Sequence, residues 1–139
     1  GLIMSVKSIT TVSDERLKKL HLVMFRQYDG EPCKHGLELA EFLSTLKIVE
    51  GLGIDNYRVA NGAADLAAQI VVRFKKGPGQ VYLYTSLGYY DQSYSYNVSV
   101  LGSSIRVTVS WYDGSILFKG PVDKFHKFCK LGVDNDSTV

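Results

Sequence analysis

The chain is expected to form a single α+β domain: a mostly antiparallel sheet with two main helices on one face and a short C-terminal helix. Three observations carry this expectation. Residues 37–46 and 61–76 repeat apolar side chains at helical spacing. Residues 94–119 alternate apolar and polar side chains around two hairpin turn signals. The length, 139 residues with 45% in the apolar class, is that of one domain. A fold of this size buries about two-thirds of the surface its unfolded chain exposes and needs no metal or disulfide to hold it.

Taking the elements in order, Gly1-Leu2-Ile3 precede Met4, the expected native start, and the domain is expected over residues 4–131. Two extended segments, 6–12 and 20–27, flank a turn at Ser13-Asp14-Glu15-Arg16. Tyr28-Asp29-Gly30-Glu31-Pro32 ends the second strand with strong turn chemistry. The first helix, 37–46, carries apolar residues at 39, 42, 43 and 46, with Glu38 and Glu41 suiting its N-terminal dipole. The second starts at Asn61, a good N-cap residue, and ends before Gly77-Pro78-Gly79. Its stripe is Ala63, Leu66, Ala67, Ile70, Val71 and Phe74.

A strand at 81–85 is expected to border the sheet, and two hairpins follow. Treating Gly102-Ser103 and Asp113-Gly114 as two-residue turns sets the register. Tyr94 then faces Trp111, Tyr96 faces Val109, Val98 faces Val107 and Val100 faces Ile105. The second turn places Ile116 against Trp111 and Phe118 against Val109. That face is the expected core. On the other, Ser95, Asn97 and Ser99 oppose Ser110, Thr108 and Arg106, with Lys119 beside Thr108. Pro121 opens the short C-terminal helix, whose Val122, Phe125, Phe128 and Cys129 face inward. Residues 132–139 are mostly polar and expected as a flexible tail.

Composition narrows the function. Sixteen basic against fourteen acidic residues leave no excess for a sequence-blind grip on nucleic acid. No apolar run reaches the ~18 residues of a membrane span, and no signal peptide is expected. Two widely separated cysteines, Cys33 and Cys129, are no disulfide framework. The expectation is a soluble cytoplasmic protein.

Three constellations stand out. The polar sheet face carries Arg106 amid Asn97 and Thr108; it is either a solvated surface or a grip for a small anion, with Tyr82 or Tyr84 covering a base. Arg26, Tyr28 and Asp29, with His35-Gly36 behind them, concentrate polar groups where a helix begins. That cluster is either turn chemistry or an anion site using free helix N–H groups. Tyr89 and Tyr90 lie in the loop 86–93, where large exposed rings read as a partner or oligomer contact. Cys33 and His35 with His126 and Cys129 have the wrong spacing for zinc, so no metal is expected. No paired carboxylates, P-loop or dinucleotide fingerprint is present, Gly51-Leu52-Gly53 lacking the third glycine; neither enzymatic activity nor a cofactor is expected.

Arg26-Gln27-Tyr28-Asp29-Gly30, His35-Gly36 leading into Leu39-Ala40-Glu41-Phe42-Leu43, then Asn61-Gly62 and Leu66-Ala67-Ala68-Gln69-Ile70, together resemble a family of small accessory proteins encoded by phages and prophages. Phe74-Lys75, Gly79, Tyr82-Leu83 and Tyr94-Ser95-Tyr96 continue the likeness, which spans roughly residues 24–119 and departs at Glu31-Pro32-Cys33-Lys34. Among phage accessory proteins of this size, the anti-Thoeris and anti-CBASS sponges sequester nucleotide messengers without cleaving them. The resemblance thus implies a counter-defence protein that sequesters a small nucleotide-like anion. The alternative is a homo-oligomeric or protein-binding role for the tyrosine-rich loop.

Overall fold

The computed structural model describes residues 5–51 and 58–137. The expected start at Met4 and part of the Gly51–Gly53 segment lie outside the described residues. The strands are β1 (Ser8–Asp14), β2 (Lys19–Arg26), β3 (Lys47–Val49), β4 (Val59–Asn61), β5 (Val81–Leu83), β6 (Tyr94–Leu101), β7 (Ser104–Trp111) and β8 (Ile116–Pro121). The helices are α1 (Leu37–Ser44), α2 (Gly62–Phe74) and α3 (Val122–Ser137), and a π-helical turn, Pro32–Gly36, runs directly into α1. The result is a single α+β domain built on a mostly antiparallel sheet.

The six-stranded sheet has the order β5-β2-β1-β6-β7-β8. Its one parallel contact joins β1 to β6, pairing Ser8 with Tyr94 and Asp14 with Val100. Sequence reading missed this pairing and the small parallel sheet β3-β4. The strand at 81–83 does belong to the main sheet, at the edge beside β2. Lys75 Nζ covers part of that edge, donating to the carbonyls of Gly79 and Val81 at 2.9 and 2.8 Å, which leaves less backbone for another chain to pair with.

The first hairpin has the expected register throughout, from Tyr94 opposite Trp111 to Val100 opposite Ile105. Gly102 makes it possible, at φ 61 in the left-handed region that its turn demands. The second hairpin differs. Asp113 Oδ1 accepts from the backbone N–H and the hydroxyl of Ser115, and Trp111 N–H reaches the Ser115 carbonyl. This widens the turn and introduces a bulge, so Phe118 still faces Val109 but Ile116 pairs with Ser110 rather than Trp111. Ile116 therefore lies 61% exposed instead of in the core.

Alternation sends Tyr96, Val98, Val107 and Val109 to the helix-covered face, all four fully buried. They meet Leu39 and Leu43 of α1, Leu66 and Ile70 of α2, and Phe125 and Cys129 of α3 in one core cluster. Gly36 permits the closest of these approaches. A Cβ there would sit 2.9 Å from Cys129 Sγ and 3.1 Å from the Tyr96 ring. Asn61 precedes α2 as expected but makes no side-chain cap; its Oδ1 accepts from Gly51 N–H, while Asp65 accepts from Asn61 N–H. Residues 132–137, expected as tail, continue α3. No helix among the described residues is long and apolar enough to cross a membrane.

Candidate functional site

The face of the sheet away from the helices divides in two. Over β5, β2 and β1 it is apolar: Ile9, Val23 and Phe25 form a small second core with Tyr90 packed on it. Tyr84 stacks on Tyr90 with ring centroids 4.2 Å apart and meets the Phe25 ring edge-on, while Tyr90 donates to the Ser86 carbonyl. Tyr90 is therefore half-buried by its own loop, contrary to the expectation of a free ring. Tyr89 is 71% exposed and donates to Asp91.

Over β6, β7 and β8 the same face is polar and hollow. A groove of about 590 Å³ opens there, within the range of small-molecule sites. Its lining includes Asn97, Ser99, Arg106, Thr108, Lys119 and Glu15. Cross-strand pairing explains the grouping: Asn97 faces Thr108, Ser99 faces Arg106, and Thr108 faces Lys119 on its other side. Glu15 arrives because β1 runs parallel to β6 and ends beside it, where Glu15 N–H bonds the Val100 carbonyl.

One hydrogen-bonded network sets the acceptor wall. Asn97 donates from Nδ2 to Thr11 Oγ1 at 2.7 Å and to Ser13 Oγ at 3.4 Å. Ser13 and Ser99 both donate to Glu15 Oε1, at 3.1 and 2.7 Å. The Ser99 hydroxyl, then that of Ser13, holds the Glu15 carboxyl below the usual carboxylate range. Among the described residues, Glu15 Oε2 and Asn97 Oδ1 have no donor, and Arg106 and Lys119 make no hydrogen bond or ion pair. The groove thus holds two uncommitted cations and an ionised carboxylate that do not neutralise one another.

The other expected ligand residues lie elsewhere. Tyr82 and Tyr84 sit four strand positions from Arg106, about 19 Å at ordinary strand spacing, so neither covers a ligand held by Arg106. Tyr82 instead packs on Phe25, with Lys75 Nζ 5.5 Å from its ring centre. Arg26 points to the opposite face of the sheet and is buried. Its Nε donates to the Tyr28 carbonyl at 2.9 Å, and its Nη1 contacts His35 Nδ1 at 3.1 Å and Glu38 Oε2 at 3.3 Å. Since arginine only donates, His35 Nδ1 is the acceptor. The imidazole proton is therefore on Nε2, directed to Thr10 Oγ1 at 2.6 Å. Burial, then the Arg26 charge, brings His35 down to about 3.

Asp29 accepts from Lys34, which also bridges to Glu31. The N–H groups of Lys34, His35 and Gly36 are bonded to the carbonyls of Glu31 and Asp29, so the helix start offers no free N–H at these positions. Tyr28 is exposed and does not line the neighbouring cavity of about 300 Å³, where Asp29, Glu38 and Glu41 face Arg26 and Lys34. Three carboxylates there oppose an anion.

With both imidazole nitrogens engaged, His35 is not placed to take a proton from Cys33. Burial pushes the Cys129 thiol up to about 12, the nearby Cys33 adding to the effect. Among the described residues no three of His, Cys, Asp and Glu come together in a way that could hold a metal ion. Sequence reading missed Glu15, assigned only to a turn, and the role of Lys119. Glu15 depends on a parallel strand pairing that no local pattern announces, whereas Lys119 followed from the hairpin arithmetic once Thr108 was chosen. Comparison with known proteins returns no matching family model, no matching curated protein and no matching solved structure.

Proposed function

We propose that the protein binds a small nucleotide-like anion in the groove on β6–β8 and holds it without turnover. The observation that carries this is the pair Arg106 and Lys119, uncommitted cations on adjacent strands flanking Thr108 in a hollow of nucleotide size. Arginine presents a fixed fork of donors to a phosphate, and lysine adds a second charge. No group beside them is set up as a general base: the Ser99 and Ser13 hydroxyls hold the Glu15 carboxyl below its ordinary value, favouring the ionised, weakly basic form. In the counter-defence setting implied by the phage-like sequence pattern, such a protein lowers the free concentration of a nucleotide signal.

The test is to incubate the protein with a panel of cyclic nucleotides and ADP-ribose isomers and assay free ligand before and after denaturation. Capture followed by intact release, lost in Arg106→Ala, supports the reading. Release of a cleaved product identifies an enzyme, and no capture from the whole panel removes the proposal. A second reading, self-association through the loop 86–93, rests on exposed Leu87 and Tyr89 of that loop and exposed Tyr112 of the β7–β8 turn. Native mass spectrometry of Tyr89→Ser decides it: an oligomer in the parent that dissociates in the variant supports self-association.

A further inference from the structure

We infer that the groove selects guanine over the other common bases, with Glu15 and Asn97 reading the base edge while Arg106 and Lys119 hold the phosphate; this rests on the reading of the groove as a nucleotide site. The groove has two chemically different walls. One carries the two cations on β7 and β8. The other carries acceptors fixed by the chain Thr11–Asn97–Ser13–Glu15–Ser99. That chain uses the donors of Asn97 and one oxygen of Glu15, and leaves Asn97 Oδ1 and Glu15 Oε2 open.

Ser99 is the hinge between the walls. It faces Arg106 directly across the β6–β7 ladder, yet its hydroxyl donates to Glu15, whose side-chain partners are Ser13 and Ser99 and not Arg106. The carboxylate is thereby kept available to a ligand. An ionised carboxylate only accepts hydrogen bonds, and an amide oxygen does the same. A wall of acceptors needs a ligand edge of donors. Guanine presents two adjacent donors, N1–H and the 2-amino group. Adenine and cytosine each place a ring-nitrogen acceptor beside the amino group, and uracil flanks its single N–H with two carbonyls. Set against Glu15 and Asn97, each of these three leaves an acceptor facing an acceptor, which is unfavourable once water is displaced.

The experiment is calorimetric titration of the full chain with GMP, IMP, AMP and inorganic phosphate. GMP is expected to bind about tenfold or more tightly than AMP, with IMP, which lacks the 2-amino group, between them. Glu15→Gln is expected to bring GMP to the AMP level. Ser99→Ala, which keeps the carboxylate but removes the shorter of its two hydroxyl donors, is expected to narrow the gap. Equal affinity for GMP and AMP in the parent, with both lost in Arg106→Ala, overturns the base assignment and leaves the anion site standing. A guanine preference that survives Glu15→Gln also overturns it. No binding of any of the four at millimolar concentration overturns the guanine assignment, while the anion-site reading is overturned only if the cyclic-nucleotide and ADP-ribose panel is not captured either.

Discussion

Arg26 and Arg106 are the same residue type on strands of the same sheet, and they do opposite things. Arg26 is 7% exposed, and its guanidinium contacts a carbonyl, an imidazole and a carboxylate. It holds the π-helical turn and α1 against β2. Arg106 is exposed, has no partner among the described residues and lines a groove. A guanidinium with its donors satisfied internally is part of the structure, because recruiting it for a ligand would break the contacts that placed it. Local sequence around Arg26 is rich in polar residues and looks like a site, while Arg106 sits in a plain alternating strand. Partners, not neighbours in sequence, separate the two roles.

The comparison is broken most severely on Arg106's own strand. Val107 is fully buried beside it, so Val107→Asp is expected to abolish cooperative unfolding by circular dichroism, while Thr108→Asp, one residue on and facing the groove, keeps the fold. A folded Val107→Asp variant contradicts the β6–β7 register. Next in size is Arg26→Ala, expected to lower stability by about 2 kcal/mol in urea denaturation. Glu38 is partly exposed and regains water, but His35 Nδ1 loses its donor inside the core. Ligand capture in the groove is expected to persist in that variant.

A comparable effect, spread over several pH units, concerns His35. His35 titrates at about 3 in the folded chain against an ordinary 6.5, so between these values the unfolded chain binds the extra proton. The resulting stability is fully present above 6.5 and declines as pH falls towards 3, by roughly 1 kcal/mol per pH unit. Urea midpoints at pH 7, 6, 5 and 4 read it, and His35→Gln is expected to have a shallower slope; equal slopes contradict the neutral buried imidazole. The smallest effect on stability is that of Arg106→Ala, within about 0.5 kcal/mol, against a large loss of ligand capture. A marked fall in its melting temperature places Arg106 with Arg26 as a structural residue.

What could be read from sequence follows the range of the forces involved. The β6–β7 register was legible because Gly102-Ser103 is a local turn signal and the pleat propagates it residue by residue. The next hairpin was legible up to Phe118; the Asp113 side chain, by bonding Ser115, inserts the bulge that turns Ile116 outward. Asn97, Arg106 and Thr108 came from the same arithmetic, and the groove brings those three together. Tyr82 and Tyr84 are near these residues in sequence but not in space. The order β5-β2-β1-β6 puts β2 and β1 between, and no local pattern encodes a parallel contact between strands this far apart in the chain.

That contact has a kinetic consequence. β6, β7 and β8 are joined by tight turns and need only short loops to close, so they are suited to form early. β1 pairs with β2 just as locally, but its other edge stays open until β6 has been made, more than eighty residues later. During synthesis on the ribosome, the N-terminal hairpin therefore emerges long before its central neighbour exists. The groove inherits this timing. Glu15 and Ser99 meet only when the two ends of the domain do, so the acceptor wall is completed at the step that closes the sheet.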